Sequence, residues 1–134
     1  MDKKTHDGLN EIGQIAVPVD DLDRAIKFYR DNLGLDFLFQ TPSMAFFDCA
    51  GVRLMLGLPE GQEPKRESSI IYFRVADIEA MTQAIADRGT RFETAPHRVA
   101  KMQDHDLWMA FFKDSEGNTM ALMSEVRQPV GQQR

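Results

Sequence analysis

The chain has 134 residues, of which 43% are hydrophobic and 28% charged, with a formal net charge of −5. That is apolar material for one core rather than two, and unlike a disordered chain. A mildly acidic surface repels phosphate backbones and argues against nucleic acid as a partner, no apolar run approaches the ~20 residues that span a bilayer, and the single cysteine, Cys49, excludes an intrachain disulfide and a cysteine zinc cluster.

Residues 1–10, with His6, read as a flexible polar leader. They lack the apolar stretch of a signal peptide, so a cytoplasmic protein is expected. Residues 12–19 (IGQIAVPV) are β-branched and read as a strand. Asp20 and Asp21 can cap a helix whose stripe is Leu22, Ala25, Ile26, Tyr29 and Leu33, and Gly34 is its stop. Residues 37–40, 44–47 and 52–56 read as three short strands, with Asp48-Cys49-Ala50-Gly51 as the turn between the last two. Residues 59–67 carry two prolines, one glycine and five charges and read as a linker.

The pattern then starts again. Residues 69–75 form a strand, Asp77 a cap, Ile78, Met81 and Ile85 the inner face of a helix, and Gly89 its stop. Residues 91–95, 107–113 and 119–124 read as strands, with Asp114-Ser115-Glu116-Gly117 turning between the last two, and 126–134 as a flexible tail. The two copies match in letters. IAVPVDDLDRAIKFYRDNLG lies over IYFRVADIEAMTQAIADRG, and MAFFDCAG over MAFFKDSEG with one insertion. The expected architecture is one α+β domain over residues 11–125. Two βαβββ repeats (11–58 and 69–125) form a curved or closed mixed sheet around a cavity, with helices outside.

The runs QIAVPVDDLDRAIKFYRDNLGL and KDSEGNTMALMSE resemble the opening and closing segments of the vicinal oxygen chelate superfamily, the glyoxalase, bleomycin-resistance and dioxygenase type of domain. The resemblance covers about residues 11–125 and implies a homodimer. It also implies four metal-ligand positions, which the repeat assigns to Gln14, Met55, Ile70 and Ala121. Only Gln14 has a suitable oxygen. Isoleucine and alanine have no donor atom, and a thioether is a poor ligand for hard or borderline divalent ions. The metal, and with it any cofactor, is therefore not expected.

The remaining candidates are polar groups and a possible apolar wall. His97 and His105 flank a turn-rich connection, where they could act as general bases or as displaced ligands beside Asp104 and Asp106, or simply bond to backbone and solvent. Tyr72 and Arg74 share parity with Ile70 and should face the same side, to meet an anion or to pack internally in an ion pair. If the last hairpin places Ala121 beside Ala110, then Trp108 and Phe112 line the pocket, with Met44, Phe46, Met55 and Met123 around them, unless they are ordinary core. Three functions remain open. The first is a metal-free binder of a hydrophobic or aromatic small molecule. The second is a lyase, isomerase or dioxygenase using displaced ligands or acid–base residues, and the third is an interaction module.

Overall fold

The computed structural model describes residues 8–61 and 67–127. The leader through residue 7 with His6, linker residues 62–66 and tail residues 128–134 lie outside the described residues. The first repeat runs β1 (Gln14–Pro18), α1 (Leu22–Lys27) continued by a π-helical turn (Phe28–Asn32), β2 (Asp36–Gln40), β3 (Met44–Cys49) and β4 (Val52–Gly57). The second runs β5 (Ile71–Arg74), α2 (Ile78–Asp87), β6 (His97–Lys101), β7 (His105–Lys113) and β8 (Thr119–Arg127). Each repeat makes one four-stranded mixed sheet, ordered β1-β4-β3-β2 and β5-β8-β7-β6, with its first strand parallel to its last. The class is α+β. The two sheets remain separate, so the chain takes the open rather than the closed alternative.

Local chemistry sets the element ends in the same way in both copies. The Asp21 carboxylate accepts the Arg24 amide at 3.0 Å, and Asp77 accepts Ala80 at 3.1 Å, so each aspartate satisfies an orphan donor of the first helical turn. Gly34 and Gly89 stop the helices at φ +79° and +106°, a region that other residues enter only at a steric cost.

Two elements differ from expectation. Residues 91–95 form no strand. Phe92 makes one bridge to Phe112 on the edge of β7, Pro96 then interrupts the ladder, and the edge strand proper is β6. The histidines expected in a loop therefore stand in strands, His97 opening β6 and His105 opening β7. On α2 the inner face is Ile78, Thr82 and Ile85, at i, i+4 and i+7, while Met81 is exposed.

Each sheet has a covered and an open face. On the covered face Val17, Ala45, Phe47, Leu54 and Leu56 of the first sheet join Ala110, Phe112, Met120 and Leu122 of the second in one core with Ile26, Phe28, Tyr29, Ile78 and Ile85 from the helices. The rings of Phe28 and Phe112, one from each repeat, lie 6.5 Å apart, so both halves contribute to the same cluster.

The β7–β8 turn clamps the halves together. Glu116, its side chain fully buried, accepts the amides of Asp20 and Asp21 at 2.9 and 3.0 Å and the Arg24 guanidinium at 2.8 and 3.0 Å. Asp114 accepts the buried Tyr29 hydroxyl at 2.6 Å, as well as the Glu116 and Asn118 amides at 2.8 Å each. Asn118 donates to the carbonyl of Pro18 at 2.9 Å. Burial pushes the Glu116 carboxyl up. The Arg24 guanidinium, the Ser115 hydroxyl and the two amides outweigh it and hold Glu116 down at about 2, against an ordinary 4.5. Burial first, then Asp114, pushes the Tyr29 phenol well above its ordinary range and keeps it protonated as a donor.

A carboxylate with a depressed folded-state pKa stabilises the fold above its unfolded value, and that stability is lost as the pH falls through the folded value. Glu116→Gln is therefore expected to lower stability at neutral pH by roughly 1–3 kcal/mol. It should also flatten the acid side of the stability profile between pH 4.5 and about 2. Urea unfolding of both proteins across that window measures it, and an unchanged acid limb would refute the clamp.

Candidate functional site

Pairing registers fix which side chains share the open faces, because directly paired residues project to the same side. On the first sheet, Ala16 pairs with Met55, Met55 with Phe46, and Phe46 with Phe39. Gln14 points to the same side as Ala16, and its amide donates to the Met55 sulfur at 3.7 Å. The rings of Phe39 and Phe46 stack at 4.5 Å, with the Arg53 guanidinium 5.8 Å from the centre of Phe46.

On the second sheet two rows cross the open face. One is Tyr72–Ala121–Phe111 and the other is Arg74–Met123–Met109–His97. Ala121 is fully buried although it stands on this face. Its methyl group is short enough for the rings of Tyr72 and Phe111 to meet beside it, edge to face at 6.0 Å. Ile70 lies just before β5 and is exposed. Thus Gln14 touches Met55 and Tyr72 touches Phe111, but no hydrogen bond or ring contact among the described residues joins the first pair to the second.

The hairpin register corrects the expected pocket lining. The turn has five residues, 114–118, because Asn118 belongs to it, and Lys113 pairs with Thr119. Ala121 therefore faces Phe111, not Ala110. That one-residue difference turns Trp108 and Phe112 to the covered face and puts Met109 and Phe111 on the open one. Phe112 is core. Trp108 packs against the core and lines a cleft of about 390 Å³ with Ala76, Asp77, Ile78, Glu79, Ser124 and Val126. This cleft lies at the start of α2, on the opposite side of the sheet from Tyr72 and Arg74.

The histidines do not converge. His97 pairs with Met109, four residues along β7 from His105, a separation of about 13 Å at strand rise. His97 Nδ1 lies 2.8 Å from the carbonyl of Ala95, which can only accept. Nδ1 therefore carries the proton, and Nε2 of the neutral ring is left as an acceptor. His105 Nδ1 donates to Asp104 at 2.7 Å, a bond that holds the Asp104 carboxyl below its ordinary range. Asp106 pairs instead with Arg98 at 3.6 Å. Burial, then Asp48, pushes the Cys49 thiol up, away from the thiolate needed for nucleophilic attack.

A family model for the Glyoxalase/Bleomycin resistance protein/Dioxygenase superfamily matches residues 11–122. The chain belongs to that superfamily. It is 25% identical over 122 residues to a glyoxylase-like domain-containing protein of Didymella fabae, spanning 84% of this chain and 91% of that protein. It is 34% identical over 65 residues to the metallothiol transferase FosB of Staphylococcus haemolyticus, a match covering 48% of this chain and 46% of that protein. Its fold is similar to a lactoylglutathione lyase from Agrobacterium tumefaciens, with a TM-score of 0.70 at 21% identity over 87% of this chain and 95% of that one.

The superfamily's metal does not fit the residues present. Among the described residues no three of His, Cys, Asp and Glu gather so as to hold a metal ion. Of the four positions carried over from the superfamily, Gln14 has an oxygen but spends its amide N–H on Met55, and Ala121 is sealed beside two rings. Ala121→Glu, which would restore a carboxylate at the fourth position, is expected to destabilise the protein by about 2–4 kcal/mol, because the new group must part the Tyr72–Phe111 contact or be buried unpaired. Thermal and urea unfolding of the variant measure this, and a neutral substitution would show that the position is still an open ligand site.

Proposed function

We propose that the protein is a metal-independent small-molecule binding member of the glyoxalase and bleomycin-resistance type. On this reading it holds a hydrophobic or aromatic ligand against the open face formed by Tyr72, Arg74, Met109, Phe111 and Met123. The observation that carries the reading is the fate of the ligand positions. Gln14 bonds to Met55, and Tyr72 meets Phe111 beside Ala121, contacts that support an apolar binding surface over a coordination sphere. Methionine side chains adapt to flat or irregular ligands, and Tyr72 is 42% exposed beside them.

This reading expects purified protein to carry less than about a tenth of an equivalent of transition metal, and ligand affinity to be unchanged by chelators. Elemental analysis and calorimetry with and without EDTA measure both. Stoichiometric metal whose removal abolishes binding would sink the proposal.

A second reading is an acid–base lyase or isomerase in which His97 takes a proton. It is favoured by one observation, the open Nε2 of a ring oriented by Ala95. Tyr72 and Arg74 would then bind the substrate.

We also propose a cytoplasmic homodimer in which a second copy covers apolar residues at the edges of the two sheets. Leu38 and Phe39 on the edge strand of the first sheet are each 48% exposed, and Ile70 beside the edge strand of the second is 42% exposed, so each sheet edge offers apolar side chains for a partner to cover. Light scattering on a gel-filtration column is expected to give twice the chain mass of 15.3 kDa. A monomer at micromolar concentration would reject this part alone.

A further inference from the structure

The open face of the second sheet has polar groups at both ends of an apolar strip. Arg74 stands on β5 and His97 on β6, with Met123 and Met109 between them in one cross-strand row. Three inter-strand spacings separate the ends, about 14 Å between Cα atoms. Among the described residues Arg74 has no ion pair and no hydrogen bond, although the chain carries 21 acidic residues. Glu125 follows Met123 by two residues on the same face of β8, yet it makes no ion pair with Arg74. Tyr72, two residues before Arg74 and on the same side, gives its ring to Phe111, while its hydroxyl has no partner among the described residues. Arg74 and Tyr72 thus stand two residues apart on one face of β5, paired with Met123 and Ala121, and a guanidinium fork with a phenolic donor suits a carboxylate better than a neutral head group. At the far end, the Ala95 carbonyl orients His97 so that Nε2 accepts.

Resting on the small-molecule reading above, we propose that the ligand is an elongated organic acid. Its carboxylate meets Arg74 and Tyr72, its apolar body lies over Met123 and Met109, and a hydroxyl at its other end donates to His97 Nε2. A carboxylate is complementary to the unpaired cation. A purely apolar ligand would leave Arg74 unused, and an amine would be repelled by it.

The test is calorimetry on the full chain with four probes below their micelle concentrations: decanoate, decanol, decylamine and ω-hydroxydecanoate. Decanoate is expected to bind at least about tenfold tighter than decanol, as a charge-assisted hydrogen bond requires, and decylamine more weakly than either. Arg74→Gln should reduce decanoate to the level of decanol and leave decanol unchanged, with an unaltered melting temperature because the side chain is exposed. ω-Hydroxydecanoate should gain about threefold over decanoate, and His97→Phe should remove that gain alone.

Equal affinity for decanoate and decanol, or an Arg74→Gln protein that still prefers the acid, overturns the assignment of an acid while the binding face itself stands. Failure of all four probes overturns both. An Arg74→Gln variant that loses its dimer while acid affinity is unaffected gives Arg74 to a partner subunit and overturns the proposal.

Discussion

The buried carboxylate of Glu116 ties the second repeat to the first. It sits in the turn between β7 and β8 and is satisfied by two backbone amides at the entry to α1 and by Arg24. A charge taken out of water is tolerated only when its hydrogen-bonding capacity is met. Here part of it is met by backbone of the other repeat, so the helix entry and the turn position each other. Asp114 and Asn118 extend the same clamp to Tyr29 and Pro18. The turn is therefore held at five residues, and that length sets the register of the longest hairpin. The register in turn decides that Met109, Phe111, Ala121 and Met123 stand on the open face. The composition of the site is thus a consequence of a clamp on the far side of the sheet.

Two of the positions that the resemblance assigns to metal ligands carry other contacts. Ala121 lets Tyr72 and Phe111 touch, and Met55 receives the Gln14 amide. The open face of the second sheet carries polarisable and aromatic side chains, and among the described residues its polar groups without a hydrogen-bond partner include the Tyr72 hydroxyl, Arg74, Glu125 and the outer nitrogens of His97 and His105. The core lies on the opposite side of both sheets from these open faces. Alternation separates the two faces residue by residue, so one can be rewritten while the other keeps the halves packed.

Much of this was legible in the sequence. Asp21 and Asp77 cap helices as their spacing implies, Gly34 and Gly89 end them, and the repeated letters around these residues announce two copies of one unit, because caps and stops are local chemistry. The unsuitability of Met55, Ile70 and Ala121 as metal ligands follows from their side chains and needs no coordinates. Other features were hidden. β6 carries few strand-forming residues and is held by the edge of β7, so local propensity could not distinguish it from a loop. Met81 and Thr82 differ by one position on α2, which periodicity alone leaves ambiguous in a helix with few apolar residues.

The pocket lining shows most clearly where the sequence stops. The sequence by itself determined the α+β repeat, the element order and the helix limits, since these depend on residues near in the chain. Tertiary structure alone decided that Asn118 belongs to the turn, that Phe111 and not Ala110 faces Ala121, and that His97 and His105 stand apart on one face. The physical reason is the two-residue period of a strand. A shift of one residue in a turn inverts every side chain beyond it, and the bonds that prevent the shift come from Pro18, Asp20 and Asp21, some hundred residues away in the chain.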